Sequence, residues 1–93
     1  MSKGRAALVT GSTRGIGQAI ARALAADGCN VMLNGFGKDD AIERERAAMA
    51  EEHGVEVRYS GSDLSVEDEV DALTRATEEA FGSVDILVNN AVI

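Results

Sequence analysis

Four short aliphatic runs alternate with three helical stretches, and that alternation narrows the fold more than any other feature. The runs are "AALV" (6–9), "NVMLN" (30–34), "VEVRY" (55–59) and "VDILV" (84–88). Between the first two, Ile16, Ile20 and Leu24 recur every fourth residue from Gly15 to Asp27, an amphipathic-helix pattern, and Gly28 suits a left-handed stop. Between the next two, "AIERERAAMAEEH" carries a narrow apolar stripe of Ile42 and Met49. Asp39 or Asp40 is its expected cap and Gly54 its stop. Before the last run, Ser65-Val66-Glu67-Asp68 is close to a capping box, Val70, Leu73, Thr77 and Ala80 keep helical spacing, and Gly82 closes the segment. Short strands separated by helices pair in parallel, because a parallel neighbour is reached only through a long crossover. The expected fold is therefore α/β, in the order β-α-β-α-β-α-β, with helices on both faces of the sheet.

Composition limits what such a sheet can serve. Ninety-three residues make at most one domain, with a thin core built from aliphatics, since aromatics are only 3% of the chain. Nine basic and 16 acidic residues give a net charge of −7. That argues against nucleic acid or an anionic membrane as the main partner, since both need a cationic face. The lone Cys29 forms no internal disulfide and reads as a small buried hydrophobe. The N-terminus lacks a signal-peptide pattern, and no run approaches the roughly 20 apolar residues of a membrane helix, so the cytoplasm is the expected compartment.

The chemistry concentrates in the turns that follow the strands. "TGSTRGIG" (10–17) joins the first strand to the first helix, where a helix N-terminus offers unpaired N–H groups and a partial positive charge. Phosphate oxygens approach such a turn only where side chains are absent, a reason for Gly11, Gly15 and Gly17, while Ser12 and Thr13 add hydroxyl donors. The spacing is G-x-x-x-G-x-G, neither G-x-G-x-x-G nor a P-loop. "GSDLS" (61–65) places Asp63 at the end of the third strand, where its carboxylate can accept from an adenine amino group or serve as a turn aspartate. "NNA" (89–91) follows the fourth strand and "NGFG" (34–37) the second, with Phe36 either a core plug or a wall against adenine.

Together, "TGSTRGIG", "DL" (63–64) and "NNA" (89–91), each after its own strand, resemble the short-chain dehydrogenase/reductase family. "LNGFG" (33–37) and "IERER" (42–46) look like the bacterial D-3-hydroxybutyrate dehydrogenases within it. The resemblance spans the chain but only about the first third of a typical member. It implies that residues 1–93 are the N-terminal, dinucleotide-binding part of a single Rossmann-type domain with strand order 3-2-1-4. It also implies that Gly11, Thr13, Gly15, Ile16 and Gly17 line the pyrophosphate and that Phe36 borders the adenosine. Asp63 and Leu64 would hold the adenine, and Asn90 and Ala91 would approach the nicotinamide-side ribose. The family's N-N-A-G reads N-N-A-V here, with Val92 in place of glycine. The subfamily implies NAD. The residues leave NADP open, because no acid follows the second strand and Arg14 can attract a 2′-phosphate.

Family chemistry uses a tyrosine, a lysine four residues on and a serine. The single tyrosine, Tyr59, has Asp63 four residues on, which drives a phenol pKa the wrong way, so Tyr59 reads as structural. His53 reads as solvated, and no metal-ligand cluster is visible. The catalytic residues are expected beyond Ile93. By resemblance the whole protein is an oxidoreductase acting on a small hydroxy acid or ketone and assembling as a homotetramer. A stand-alone, non-catalytic nucleotide-binding or interaction module is the alternative. Strand order 3-2-1-4 also leaves "VDILV" as an open apolar edge, which makes the segment by itself prone to aggregate.

Overall fold

The computed structural model describes residues 4–90. Its elements are β1 (Ala6–Val9), α1 (Gly15–Ala26), β2 (Asn30–Asn34), α2 (Asp39–His53), β3 (Val57–Ser60), α3 (Glu67–Phe81) and β4 (Ile86–Val88). The strands form one parallel sheet in the order β3-β2-β1-β4, as expected. Register pairs Leu8 with Met32 on one side and with Leu87 on the other, and Leu33 with Tyr59.

Alternation of side chains along the strands divides the core into two layers. Ala7, Val9, Val31, Leu33 and Val57 pack on one face with Ala21 and Ala25 of α1 and Met49 of α2. Leu8 and Met32 point to the other face, where Leu73 of α3 meets them. Cys29 is buried in the first layer. Successive crossovers from β1 to β2 to β3 keep α1 and α2 on one side, where Arg22 Nε donates to Glu45 Oε1 at 2.7 Å. The return from β3 to β4 reverses direction and carries α3 to the opposite side, as a constant crossover hand demands.

The helix α1 departs from its expected face. Ile16, the first of the four-residue row, is 75% exposed, and Ile20 and Leu24 are only partly buried. The row pressed on the sheet is Gly17, Ala21 and Ala25. Small side chains let the helix axis approach β1 closely, and the larger aliphatics flank the contact. The stripe on α2 is as expected, with Ile42 and Met49 buried. On α3, Leu73 and Thr77 are buried but Val70, in the first turns of the helix, is exposed along a groove it shares with Leu87 of β4.

Several element ends differ from expectation. Lys38, not Asp39 or Asp40, is the α2 cap, and the two acids occupy the first turn instead. Val66, not Ser65, precedes α3, because Asp63 Oδ1 captures both the N–H and the hydroxyl of Ser65 in a tight turn. β3 starts at Val57, since Val55 N closes the α2 end on Ala50 O and Glu56 N is taken by Asn30 Oδ1. β4 starts at Ile86, since Asp85 replaces a ladder bond with its carboxylate, Oδ2 accepting from Ala6 N at 2.9 Å. His53 is half-buried rather than solvated. Among the described residues β4 has a strand neighbour on one side only, and Leu87 on it is 62% exposed. None of the described helices is long and apolar enough to cross a membrane.

Candidate functional site

The loops leaving β1, β2 and β3 meet above the carboxyl ends of the strands, where open α/β sheets receive ligands. They enclose a cleft of about 390 Å³ lined by Gly11, Thr13, Arg14, Asn34, Gly35, Phe36, Ser62, Asp63, Leu64 and Ser65. Its floor is fixed by two buried polar residues. Asn34, at the end of β2, donates from Nδ2 to the carbonyls of Ser60 and Ser62, both at 3.0 Å. Its backbone N–H donates to Ser12 Oγ, and its carbonyl accepts from Ser12 N–H. Ser12 Oγ in turn donates to Val9 O at 2.6 Å. Ser12 is fully buried, so its hydroxyl is not a donor for an incoming phosphate, contrary to expectation.

The glycine loop behaves as its spacing suggests. Gly11 and Gly15 adopt φ of +61° and +62°, and no non-glycine residue among those described has positive φ. A β-carbon on Gly17 would press on the Gly11 carbonyl and lie 2.6 Å from Asn90 Nδ2. Asn90 belongs to this loop as well: its N–H donates to Thr10 Oγ1 at 2.9 Å and its Nδ2 to Gly11 O at 3.2 Å. The side chain of Asn90 therefore braces the glycine loop from β4.

Electrostatics single out the start of α1. The first turns of α2 and α3 carry Asp39 and Asp40, and Glu67, Asp68 and Glu69, which compensate their helix dipoles. Among the described helices only α1 has no acid there; none of the three receives a side-chain cap. An anion is the natural complement of that end. Gly11 and Gly15, at positive φ, bring bare backbone to that end, which fits a dinucleotide pyrophosphate, while Gly17 packs tightly on the Gly11 carbonyl. Arg14 precedes the turn and lines the cleft, and Ile16 stands exposed beside it.

At the other end, Phe36 is 68% exposed and lines the cleft, so it is not a core plug. Thr13 Oγ1 donates to Phe36 O at 2.8 Å, which commits the hydroxyl proton expected for phosphate. Asp63 serves as the turn aspartate anticipated for it. Oδ1 accepts from Ser65 Oγ at 2.7 Å and from Ser65 N–H at 3.0 Å. The Ser65 hydroxyl, chiefly, and then its N–H hold the carboxyl below its ordinary pKa. Among the described residues no hydrogen bond reaches Oδ2. Leu64 lines the same cleft and packs toward α3. Gly11, Thr13, Arg14, Phe36, Asp63 and Leu64 thus share one cleft, whereas Gly15, Ile16, Gly17 and Asn90 are not in its lining. Ala91 and Val92 lie outside the described residues. Reading the sequence missed Asn34, a polar residue closing an apolar strand, and its only signal was that placement.

Tyr59 is tied to the backbone that leaves β2. Its hydroxyl donates to Gly35 O at 2.6 Å, and burial first, then the Asp39 carboxylate, raise the phenol above its ordinary pKa. Among the described residues no group of three or more His, Cys, Asp or Glu is placed to hold a metal ion.

An open parallel sheet with an uncompensated helix start and a glycine cradle at its first crossover defines a nucleotide-binding α/β class. The family model described as short chain dehydrogenase matches residues 5–93. The chain belongs to the short-chain dehydrogenase family. It is 50% identical over 93 residues to D-beta-hydroxybutyrate dehydrogenase of Cupriavidus necator, covering 100% of this chain and 35% of that protein. It is 43% identical over 91 residues to 3beta-hydroxysteroid dehydrogenase 1 of Eggerthella lenta, covering 98% of this chain and 34% of that one. Among solved structures, a short chain dehydrogenase from Burkholderia cenocepacia in complex with NADP superposes with a TM-score of 0.90 at 39% identity, covering 99% of this chain and 37% of that one. The chain thus spans about a third of the length of the relatives it matches.

Proposed function

We propose that residues 1–93 are the cofactor-binding, N-terminal part of a single Rossmann-type domain in a nicotinamide-dependent dehydrogenase. In this reading the whole protein oxidises D-3-hydroxybutyrate to acetoacetate. The observation that carries it is the start of α1, the one described helix with no acid in its first turn, entered through Gly11 and Gly15 at positive φ. The pyrophosphate then rests on Gly11, Gly15, Ile16 and Gly17. The adenosine lies along Phe36, and its adenine amino group donates to Asp63 Oδ2 beside Leu64. Asn90 and Ala91 face the nicotinamide-side ribose. When bound, the nicotinamide supplies the hydride acceptor; the residues of this chain hold and orient it. Proton transfer is assigned to none of the described residues, since the Tyr59 phenol is engaged and raised.

NAD is the proposed cofactor, and NADP stays compatible, because the cleft offers Arg14 and no acid at Gly35 or Phe36. D-3-hydroxybutyrate is favoured by the 50% identity to the Cupriavidus necator enzyme, against 43% to the hydroxysteroid dehydrogenase. A homo-oligomer in the cytoplasm completes the proposal, in line with the single, buried Cys29. The test is NADH formation by the purified protein with D-3-hydroxybutyrate, its L-enantiomer and a 3β-hydroxysteroid, beside calorimetric titration with NAD. Turnover of the D-enantiomer alone is expected. Steroid turnover instead moves the substrate and keeps the class. Cofactor binding without turnover favours the non-catalytic module. Failure to bind either dinucleotide overturns the reading.

A further inference from the structure

The wall of the cleft formed by residues 35–37 has little of its own to hold it. Gly35 and Gly37, at φ of +151° and +155°, flank Phe36 in backbone regions that other residues rarely enter. The segment lies between β2 and α2, outside any strand or helix, and the Phe36 ring is largely exposed, so packing does not anchor it. Two side chains from other loops and strands hold it instead. Thr13, in the glycine loop, donates to the Phe36 carbonyl, and Tyr59, in β3, donates to the Gly35 carbonyl. A β-carbon on Gly35 would lie 2.6 Å from Thr13 Oγ1, so the glycine is what admits the threonine.

We infer that Thr13 and Tyr59 are positioning residues whose hydroxyls clamp residues 35–36 and thereby set the adenosine wall of the cleft. The inference rests on the dinucleotide reading of the site and goes beyond it by giving Thr13 a backbone partner in place of a phosphate. It also gives the only tyrosine of the chain a purpose, as a hydroxyl donor to the Gly35 carbonyl. Ordering the wall before binding removes an entropic cost that the adenosine would otherwise meet on arrival.

The test is calorimetric titration of the purified protein with AMP, for the wild type, Thr13→Val, Tyr59→Phe and Thr13→Ser, with thermal unfolding and amide exchange recorded on each. Loss of either hydroxyl is expected to weaken AMP binding about three- to tenfold, the scale of one hydrogen bond. Amide exchange is expected to quicken at residues 35–37 and not across the sheet, and Thr13→Ser is expected to keep wild-type affinity. A merely structural role would lower the unfolding temperature while leaving the folded protein's AMP affinity within twofold, and that result overturns the inference. A Thr13→Ser variant as weak as Thr13→Val overturns it for the threonine. A wild type that ignores AMP sinks the dinucleotide reading itself. A wild type that binds AMP with unaffected variants sinks only the clamp. Tyr59→Phe removes one oxygen and Thr13→Val conserves shape at a half-buried site, so either variant alone carries the test.

Discussion

At Gly17 a single hydrogen stands where any other residue places a carbon. Because that carbon would meet the Gly11 carbonyl and lie 2.6 Å from Asn90 Nδ2, Gly17→Ala forces α1 away from the loop that β1 presents. Overpacking of this kind costs about 1–3 kcal/mol. The unfolding temperature should fall, and calorimetry should show NAD affinity reduced at least about tenfold, because the displaced part is the cradle itself. Gly15 separates the two reasons for glycine: a β-carbon there meets nothing within 4 Å, but φ is +62°. Gly15→Ala should cost about 1–2 kcal/mol through backbone strain alone. Asp85 acts at the opposite end of the sheet. Accepting from Ala6 N and then from Ser83 Oγ lowers its carboxyl below the ordinary 3.8. A lowered folded-state pKa contributes stability that is complete above the unfolded value and is lost as pH falls through the folded one. Unfolding temperatures recorded from neutral pH down to about pH 2 should fall on the acid limb. Asp85→Asn, which keeps an acceptor oxygen, should flatten that limb and be less stable than wild type at neutral pH.

Between elements, the junction of β2 with β1 and β3 runs through Asn34. Its side-chain amide holds the Ser60 and Ser62 carbonyls, and it is almost wholly buried. Asn34→Ala leaves two carbonyls at the cleft floor without their donor. The expected cost is about 1–3 kcal/mol in denaturant unfolding, with the loop carrying Asp63 loosened. The same residue marks how far the sequence was legible. The parallel sheet follows from aliphatic runs alternating with helices, which depend only on local period and crossover length, whereas its strand order was implied by the family resemblance. The glycine cradle follows from three glycines before a helix. Asn34 was not legible as a hub, because its partners arrive from segments 22 to 28 residues away. Ser12 was misjudged as a phosphate donor for a related reason: whether a hydroxyl faces a ligand or a neighbouring strand depends on tertiary placement. Ile16, Ile20 and Leu24 announced a helix correctly but not its buried side, because close approach favoured the smaller row of Gly17, Ala21 and Ala25.

Over the whole molecule, a net charge of −7 works against any ligand that adds negative charge, and a 2′-phosphate adds up to two. The cleft departs locally from that balance, since its lining holds one cation, Arg14, and one acid, Asp63. Arg14 also precedes the one described helix whose first turn has no acid, so its charge adds to the dipole there. We propose that this cation meets the 2′-phosphate of NADP, a group that NAD lacks. Arg14→Ala should therefore weaken NADP about tenfold, the low end for a charge-assisted bond at an exposed site, and weaken NAD less than about twofold. Raising ionic strength should reproduce part of that asymmetry in the wild type and none in the variant, because screening acts on the same exposed charge. Paired calorimetric titrations at two salt concentrations measure both effects. An equal loss for the two cofactors would move Arg14 onto the shared pyrophosphate. No loss for either would leave it a solvated side chain, and cofactor choice would then fall to the Gly35–Gly37 wall.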